Sequence, residues 1–248
     1  MNNQSPLFVV AAGWVFAYMP FFLRIVVLSF FAINMPDAIS QNRPATFGIA
    51  ESRIVMQGSK GGYTLDNSGS DKSWLVQTWV ENFNREKTDV ISSQPLVLRV
   101  NQKSTFRVNL KKQGNLPDDR ESVFWAVAHS IPEKEKNQPE NRLNLAYRFK
   151  SLLIYRPEKL KEVEFDFKAI SWKKTEGRGV EVFNNTPFSV SFVNVYINGE
   201  AISFRDNIKF LRPYEKQILT ARVNKGDKVK FGYKNDYGYV KTVSAVVM

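Results

Sequence analysis

The stretch NRLNLAYRFKSLLIYRP, Asn141 to Pro157, decides the fold. Leu143, Leu145, Tyr147 and Phe149 alternate along it with Asn144, Ala146, Arg148 and Lys150. Successive side chains of a strand point to opposite faces, so a period of two in β-prone residues predicts a half-buried strand. Pro157 ends it, because proline has no N–H to give a ladder. The polar loop EKEKNQPENR (133–142) leads into it, which places the strand where a sheet edge is expected. An open apolar edge is a template for pairing with another chain. Either the strand is covered by its own fold or it is offered to a partner.

Working outward, short strand patterns recur on both sides with turn residues between them. SRIVMQG (52–58), YTLDN (63–67), SWLVQTWVEN (73–82), PLVLRV (95–100), STFRVNL (104–110) and SVFWAVAHSIP (122–132) precede the deciding stretch. GSKGG (58–62) lacks the spacing of a phosphate-binding loop and reads as a hairpin turn. Six or seven short strands without an amphipathic helix are the pattern of an immunoglobulin-like sandwich. Beyond the linker-like RPEKLKE (156–162) a second set follows: EVEFDFKAISW (162–172), GVEVFNN (179–185), FSVSFVNVYING (188–199), KQILTARV (216–223), KVKFGY (228–233) and VKTVSAVV (240–247). The expectation is an all-β chain of two sandwich domains in tandem, residues 41–158 and 159–248.

The front end has a different composition. From Leu7 to Met35 the chain is nearly all apolar, interrupted by Pro20 and Arg24. Read from Met1, this run has the length of a transmembrane anchor. Read from Met19, it is a secretion signal: Arg24 is the positive n-region, IVVLSFFAINM (25–35) the apolar core, and AIS (38–40) a small-residue cleavage site. We adopt the second reading, with residues 1–40 removed near Ser40–Gln41. That loss takes away only Arg24 and Asp37, so the net charge of +11 is unchanged.

Such a basic balance favours anionic partners, and export excludes nucleic acid from among them. Cysteine is absent, which rules out disulfides, thiol chemistry and cysteine-bound zinc. His129, the only histidine, sits in an alternating strand and reads as structural. DNSGSD (66–71) lacks EF-hand spacing and reads as a solvated turn. Asn184-Asn185-Thr186 fits a glycosylation sequon. Nothing assembles a catalytic constellation, so the expectation is a binding protein that needs no metal or cofactor.

Three stretches together resemble the periplasmic pilus-assembly chaperones of the chaperone–usher pathway, the PapD-like family. They are LPDDRESVFWAVAHSIP (116–132), LNLAYRFKSLLIYRP (143–157) and YKNDYG (233–238), with NNTPF (184–188) at the corresponding place in the second domain. The resemblance implies two immunoglobulin-like domains in a boomerang arrangement around a cleft. It also implies that the strand ending in Tyr-Arg-Pro is lent to a pilin subunit whose own fold lacks its last strand. Leu143, Leu145 and Tyr147 are then the inserted residues.

The family binds the pilin's terminal carboxylate in the cleft with an Arg and a Lys. The Arg corresponds to Arg53, while the Lys position is Leu152 here. Lys150, two residues earlier and on the same strand face, is the nearest lysine. Glu121, Arg156 and Asp236 match the family's interdomain ion pairs. The implied partners are fimbrial subunits and an outer-membrane usher, in the periplasm, with a self-capped oligomer of the free protein left open. The short loop 133–142 and the lack of cysteine resemble the members that serve rod-like pili. Two rival readings stand beside this one. The first is a secreted structural or adhesive tandem-immunoglobulin protein. The second is a membrane-anchored basic β protein binding acidic polymer.

Overall fold

The computed structural model describes residues 47–133, 145–203 and 209–248. The leader proposed for residues 1–40 lies outside them. Among the described residues, no helix is long and apolar enough to cross a membrane.

The first half of the chain supplies ten strands: β1 (Gly48–Ile49), β2 (Arg53–Gln57), β3 (Lys60–Asn67), β4 (Trp74–Asn82), β5 (Lys87–Thr88), β6 (Ile91–Gln94), β7 (Val97–Val100), β8 (Ser104–Lys112), β9 (Ser122–Pro132) and β10 (Tyr147–Arg156). They form two facing sheets, one ordered β1-β3-β8-β6 and the other β2-β10-β9-β4-β5, with β7 also paired to β4. Alternation decides what lies between the sheets. Ile54 and Met56 of β2, Tyr63 and Leu65 of β3, Val76 and Val80 of β4 and Leu153 and Tyr155 of β10 all point into one core. Each large apolar side chain taken from water into such a core contributes about 1.5–3 kcal/mol.

GSKGG departs from its expected role. The strands it joins, β2 and β3, belong to different sheets, so it is a crossing between layers and not a hairpin. The physical reason is visible in its hydrogen bonds. The Gly58 amide donates to the Arg156 carbonyl in one sheet, while the Ser59 carbonyl accepts from the Lys112 amide in the other. Gly58 sits at φ 65°, where a side chain would be strained and would also strike Glu158.

The second half builds a smaller sandwich from β11 (Ile170–Lys174), β12 (Val180–Asn184), β13 (Val190–Ile197), β14 (Glu200–Ala201), β15 (Phe210–Leu211), β16 (Lys216–Leu219), β17 (Lys228–Lys234) and β18 (Val240–Val246). One sheet runs β11-β12-β16 and the other β14-β13-β17-β18, with β15 added to β13. Trp172, Phe192 and Phe231 meet at the centre of a separate core. The segment 162–172, expected as one strand, is extended only from Ile170. Asp166 caps a 3-10 turn at Phe167–Ala169 by accepting the Lys168 amide, which diverts the chain first.

Asn184, the acceptor of the sequon, is fully buried. Its amide donates to the carbonyls of Phe188 and Arg212, and its oxygen accepts from the Thr186 hydroxyl and amide. It is a structural staple for the turn 184–188, with no face open to a glycan.

Candidate functional site

Two features meet on β10. Its first half carries an apolar face at an open edge, and its second half enters a polar cleft between the sandwiches.

The edge follows from how the neighbours pair. β9 runs antiparallel to β10 over its whole length, from Tyr147 opposite Ser130 to Tyr155 opposite Ser122. On the other side β2 is parallel and begins only at Leu152, opposite Arg53. Among the described residues, no strand takes the outward backbone groups of Tyr147–Lys150. The N–H and C=O groups that face away from β9 there have no ladder partner among the described residues and remain able to form one.

The side chains grade outward along the same half-strand. Phe149 packs against its own core beside Phe47. Tyr147 meets Trp74 edge-on, with ring centroids 5.8 Å apart, but is 43% exposed, and Leu145 is 50% exposed. These two residues are therefore displayed rather than roofed over. Leu143, the third residue expected on this face, lies outside the described residues.

The opposite face of β10 carries Arg148, Lys150, Leu152 and Arg156. The Lys150 ammonium donates to Glu81 Oε2 at 2.5 Å, and Glu81 also accepts from the Trp79 indole at 2.9 Å. Burial works to raise the Glu81 carboxyl, but the bonds from Lys150 and Trp79 outweigh it and hold it below the ordinary carboxylate range. Arg148 stacks over Trp79, which also meets His129, so the lone histidine is part of an aromatic surface.

The cleft gathers residues from both sandwiches. Glu121, at the entrance to β9, accepts from Arg156 Nε at 2.8 Å and from the Ser189 amide at 2.6 Å. Arg156 also reaches Asp236 through Nη1 at 2.6 Å and Nη2 at 3.1 Å. Glu121, Arg156 and Asp236, which lie far apart in the chain, are thus brought together. Burial is the main influence on Glu121 and pushes its carboxyl up even with Arg156 beside it. Arg156 is held above its ordinary value: burial works against it, but Asp236 and Glu121 prevail.

Arg53 lies at the base, with only 6% of its side chain exposed. Its Nη1 donates to the Ser191 hydroxyl at 3.2 Å, and Nη2 stands 3.6 Å from Asp236. Its Nε is buried with no hydrogen-bond partner. Burial pushes the guanidinium below its ordinary value, with Glu121 and Asp236 opposing. Arg53, Arg156, Phe165, Phe188, Lys234 and Asp236 line a cavity of about 170 Å³ here. Desolvated arginine with an open edge is the donor geometry that recognises a carboxylate.

Sequence reasoning did not single out Ser189, Ser191 or Glu81. Ser191 was legible only as an outward position of an alternating strand, and Glu81 as one acid among many. Among the described residues, no group of acids and histidine is arranged to hold a metal.

Two family models match the chain. Residues 46–161 match "Pili and flagellar-assembly chaperone, PapD N-terminal domain", and residues 167–245 match "Pili assembly chaperone PapD, C-terminal domain". The chain belongs to the PapD family of pilus-assembly chaperones.

Chaperone protein HifB of Haemophilus influenzae is 30% identical over 198 residues, covering 75% of this chain and 80% of the relative. The probable fimbrial chaperone YadV of Escherichia coli K12 is 28% identical over 222 residues, covering 81% and 89%. Among solved structures, the Pseudomonas aeruginosa CupB2 chaperone is 25% identical with a TM-score of 0.64, covering 81% of this chain and all of its own. A complex of the Salmonella enterica SafA pilin with the SafB chaperone matches at 20% identity and a TM-score of 0.69, covering 81% and 96%; at that identity it bears on fold alone. PapD-family proteins are assembly chaperones and not enzymes.

Proposed function

We propose that this PapD-family protein is a periplasmic chaperone that captures fimbrial subunits by lending them the first half of β10 and hands them to an outer-membrane usher. The observation that carries the reading is the unpaired edge of Tyr147–Lys150 beside the displayed side chains of Leu145 and Tyr147. A subunit lacking its last strand exposes a groove with unpaired backbone. The lent strand completes the ladder, and its alternate side chains, including Leu143, fill the groove. The likeness to chaperone protein HifB and to the probable fimbrial chaperone YadV supports a fimbrial-chaperone task.

Arg53 receives the subunit's terminal carboxylate in the cleft. Lys150 is the cation of β10 nearest along the strand to that point, and it must leave Glu81 to take part. The ion pairs of Glu121, Arg156 and Asp236 set how residues 41–158 and 159–248 meet. Release proceeds by strand exchange, when the next subunit's extension displaces β10. No nucleotide enters, because the driving force is the better fit of the replacing strand. Residues 1–40 are the export signal that delivers the chain to this compartment.

Co-expression with a fimbrial subunit and pull-down tests the reading. Leu145→Asp should abolish capture while the protein remains folded by circular dichroism. Undiminished capture would refute strand lending.

A further inference from the structure

The carboxylate anchor proposed above lacks a second free cation on β10. Leu152 occupies one candidate position, and the Lys150 ammonium is engaged by Glu81. Arg156, the other cleft arginine, is divided between Glu121 and Asp236. Lys234, at the end of β17, differs from all of these. It lines the same cavity as Arg53, and among the described residues it has no carboxylate partner.

Its placement follows from strand register. Phe192 of β13 pairs with Tyr233 of β17, and both turn toward the second core. The pairing ends there, and the next residues, Ser191 on β13 and Lys234 on β17, turn to the other face. Ser191 is the residue whose hydroxyl accepts from Arg53 Nη1. A lysine stem is long enough to bring its ammonium to the Arg53 guanidinium, with which Lys234 shares the cavity. The unused edge of that guanidinium is Nε, buried without a partner, together with Nη2, whose approach to Asp236 is 3.6 Å. An edge of two parallel N–H groups binds a carboxylate bidentately and leaves its outer lone pairs for a further donor.

We infer that Lys234 is the second cation of the anchor, so that a bound terminal carboxylate is held between Arg53 of the first sandwich and Lys234 of the second. The inference rests on the reading that the cleft takes the subunit's carboxylate. It adds that the client bridges the two sandwiches and that the second domain contributes directly to affinity.

The test uses a fimbrial subunit captured by the chaperone, prepared with its native C-terminus and with a C-terminal carboxamide. Affinities are measured for the wild type and for Lys234→Gln, Lys234→Arg and Lys150→Gln. Amidation should weaken wild-type binding about tenfold or more. Lys234→Gln should weaken binding of the native subunit comparably and shrink the amidation penalty, Lys234→Arg should restore both, and Lys150→Gln should leave the penalty intact. Lys234→Gln with an unchanged affinity and an unchanged amidation penalty overturns the inference while the anchor stands. An amidation penalty absent from the wild type overturns the anchor itself. Thermal melting of Lys234→Gln at the wild-type temperature separates these outcomes from misfolding.

Discussion

Leu152 and Arg53 are register partners where β2 joins β10 in parallel, so an aliphatic side chain flanks the cleft arginine on its own sheet. The resemblance to PapD-like chaperones places a lysine there, and without it the β10 cations nearest Arg53 are Lys150 and Arg156, both engaged by carboxylates. Leu152 is only partly buried, so a lysine stem fits along the same path with its head in the cleft. Leu152→Lys should tighten binding of a subunit with a free C-terminal carboxylate several-fold and make Lys234→Gln far less damaging. Calorimetric titration of the single and double variants measures both effects.

Arg156 hydrogen-bonds both buried Glu121 and exposed Asp236. Arg156→Ala strands the Glu121 carboxylate in a dry site with only the Ser189 amide and a more distant Arg53. Removing one partner of such a buried pair costs about 3–5 kcal/mol. Denaturant unfolding should show a loss of that order, and small-angle scattering should show a wider distribution of domain separations. Asp236→Asn, at the exposed end, should cost much less in stability. An unchanged scattering profile for Arg156→Ala would contradict the orienting role of the network.

Glu81 is a carboxylate whose folded-state pKa is depressed below 4.5, with Lys150 and Trp79 overcoming the effect of burial. An acid depressed by folding stabilises the native state above its unfolded pKa, and that stabilisation fades as pH falls through the folded value. Glu81→Gln should therefore cost about 1–3 kcal/mol at neutral pH and progressively less below pH 4.5, becoming small once Glu81 is protonated in both states. Unfolding free energies of the two proteins between pH 3 and pH 7 give the comparison. A difference that grows on acidification would contradict the assignment.

Asn184 makes four hydrogen bonds from a fully buried position. Asn184→Ala leaves the buried Thr186 amide without its acceptor and takes one of two donors from each of the Phe188 and Arg212 carbonyls, which keep the Thr186 hydroxyl and the Glu215 amide. It should cost about 1–3 kcal/mol. Urea unfolding measures it. Protein expressed in a glycosylating host should carry no sugar at this site by mass spectrometry.

The strands that alternate cleanly were legible in the sequence, since inward and outward positions differ at every step. The core face of β10 follows the period of two, with Phe149 and Leu153 both turned to the first core. GSKGG was not legible, because a glycine turn looks the same whether it joins paired strands or crosses between sheets. The hydrogen-bond partners in the two sheets that decide it, the Lys112 amide and the Arg156 carbonyl, lie about fifty and a hundred residues away. Segment 162–172 misled for a local reason, as the Asp166 cap competes with extension. In the site, Arg53, Glu121, Arg156 and Asp236 were visible through their motifs. Lys150 illustrates what was not: strand facing sets it on the same side as Leu152, but its engagement by Glu81 depends on a diagonal contact from β10 across β9 to β4, which no spacing encodes.

The central claim is that the first half of β10 is lent to a fimbrial subunit along its free edge. Amide hydrogen exchange on the chaperone, alone and in complex with a subunit, tests it most directly. In the free protein, the amides of Leu152–Arg156 between β2 and β9 should be slow. Those of Tyr147–Ser151 that face away from β9 should be fast, and they should become strongly protected in the complex. Protection that leaves Tyr147–Ser151 fast while another surface slows would contradict the account.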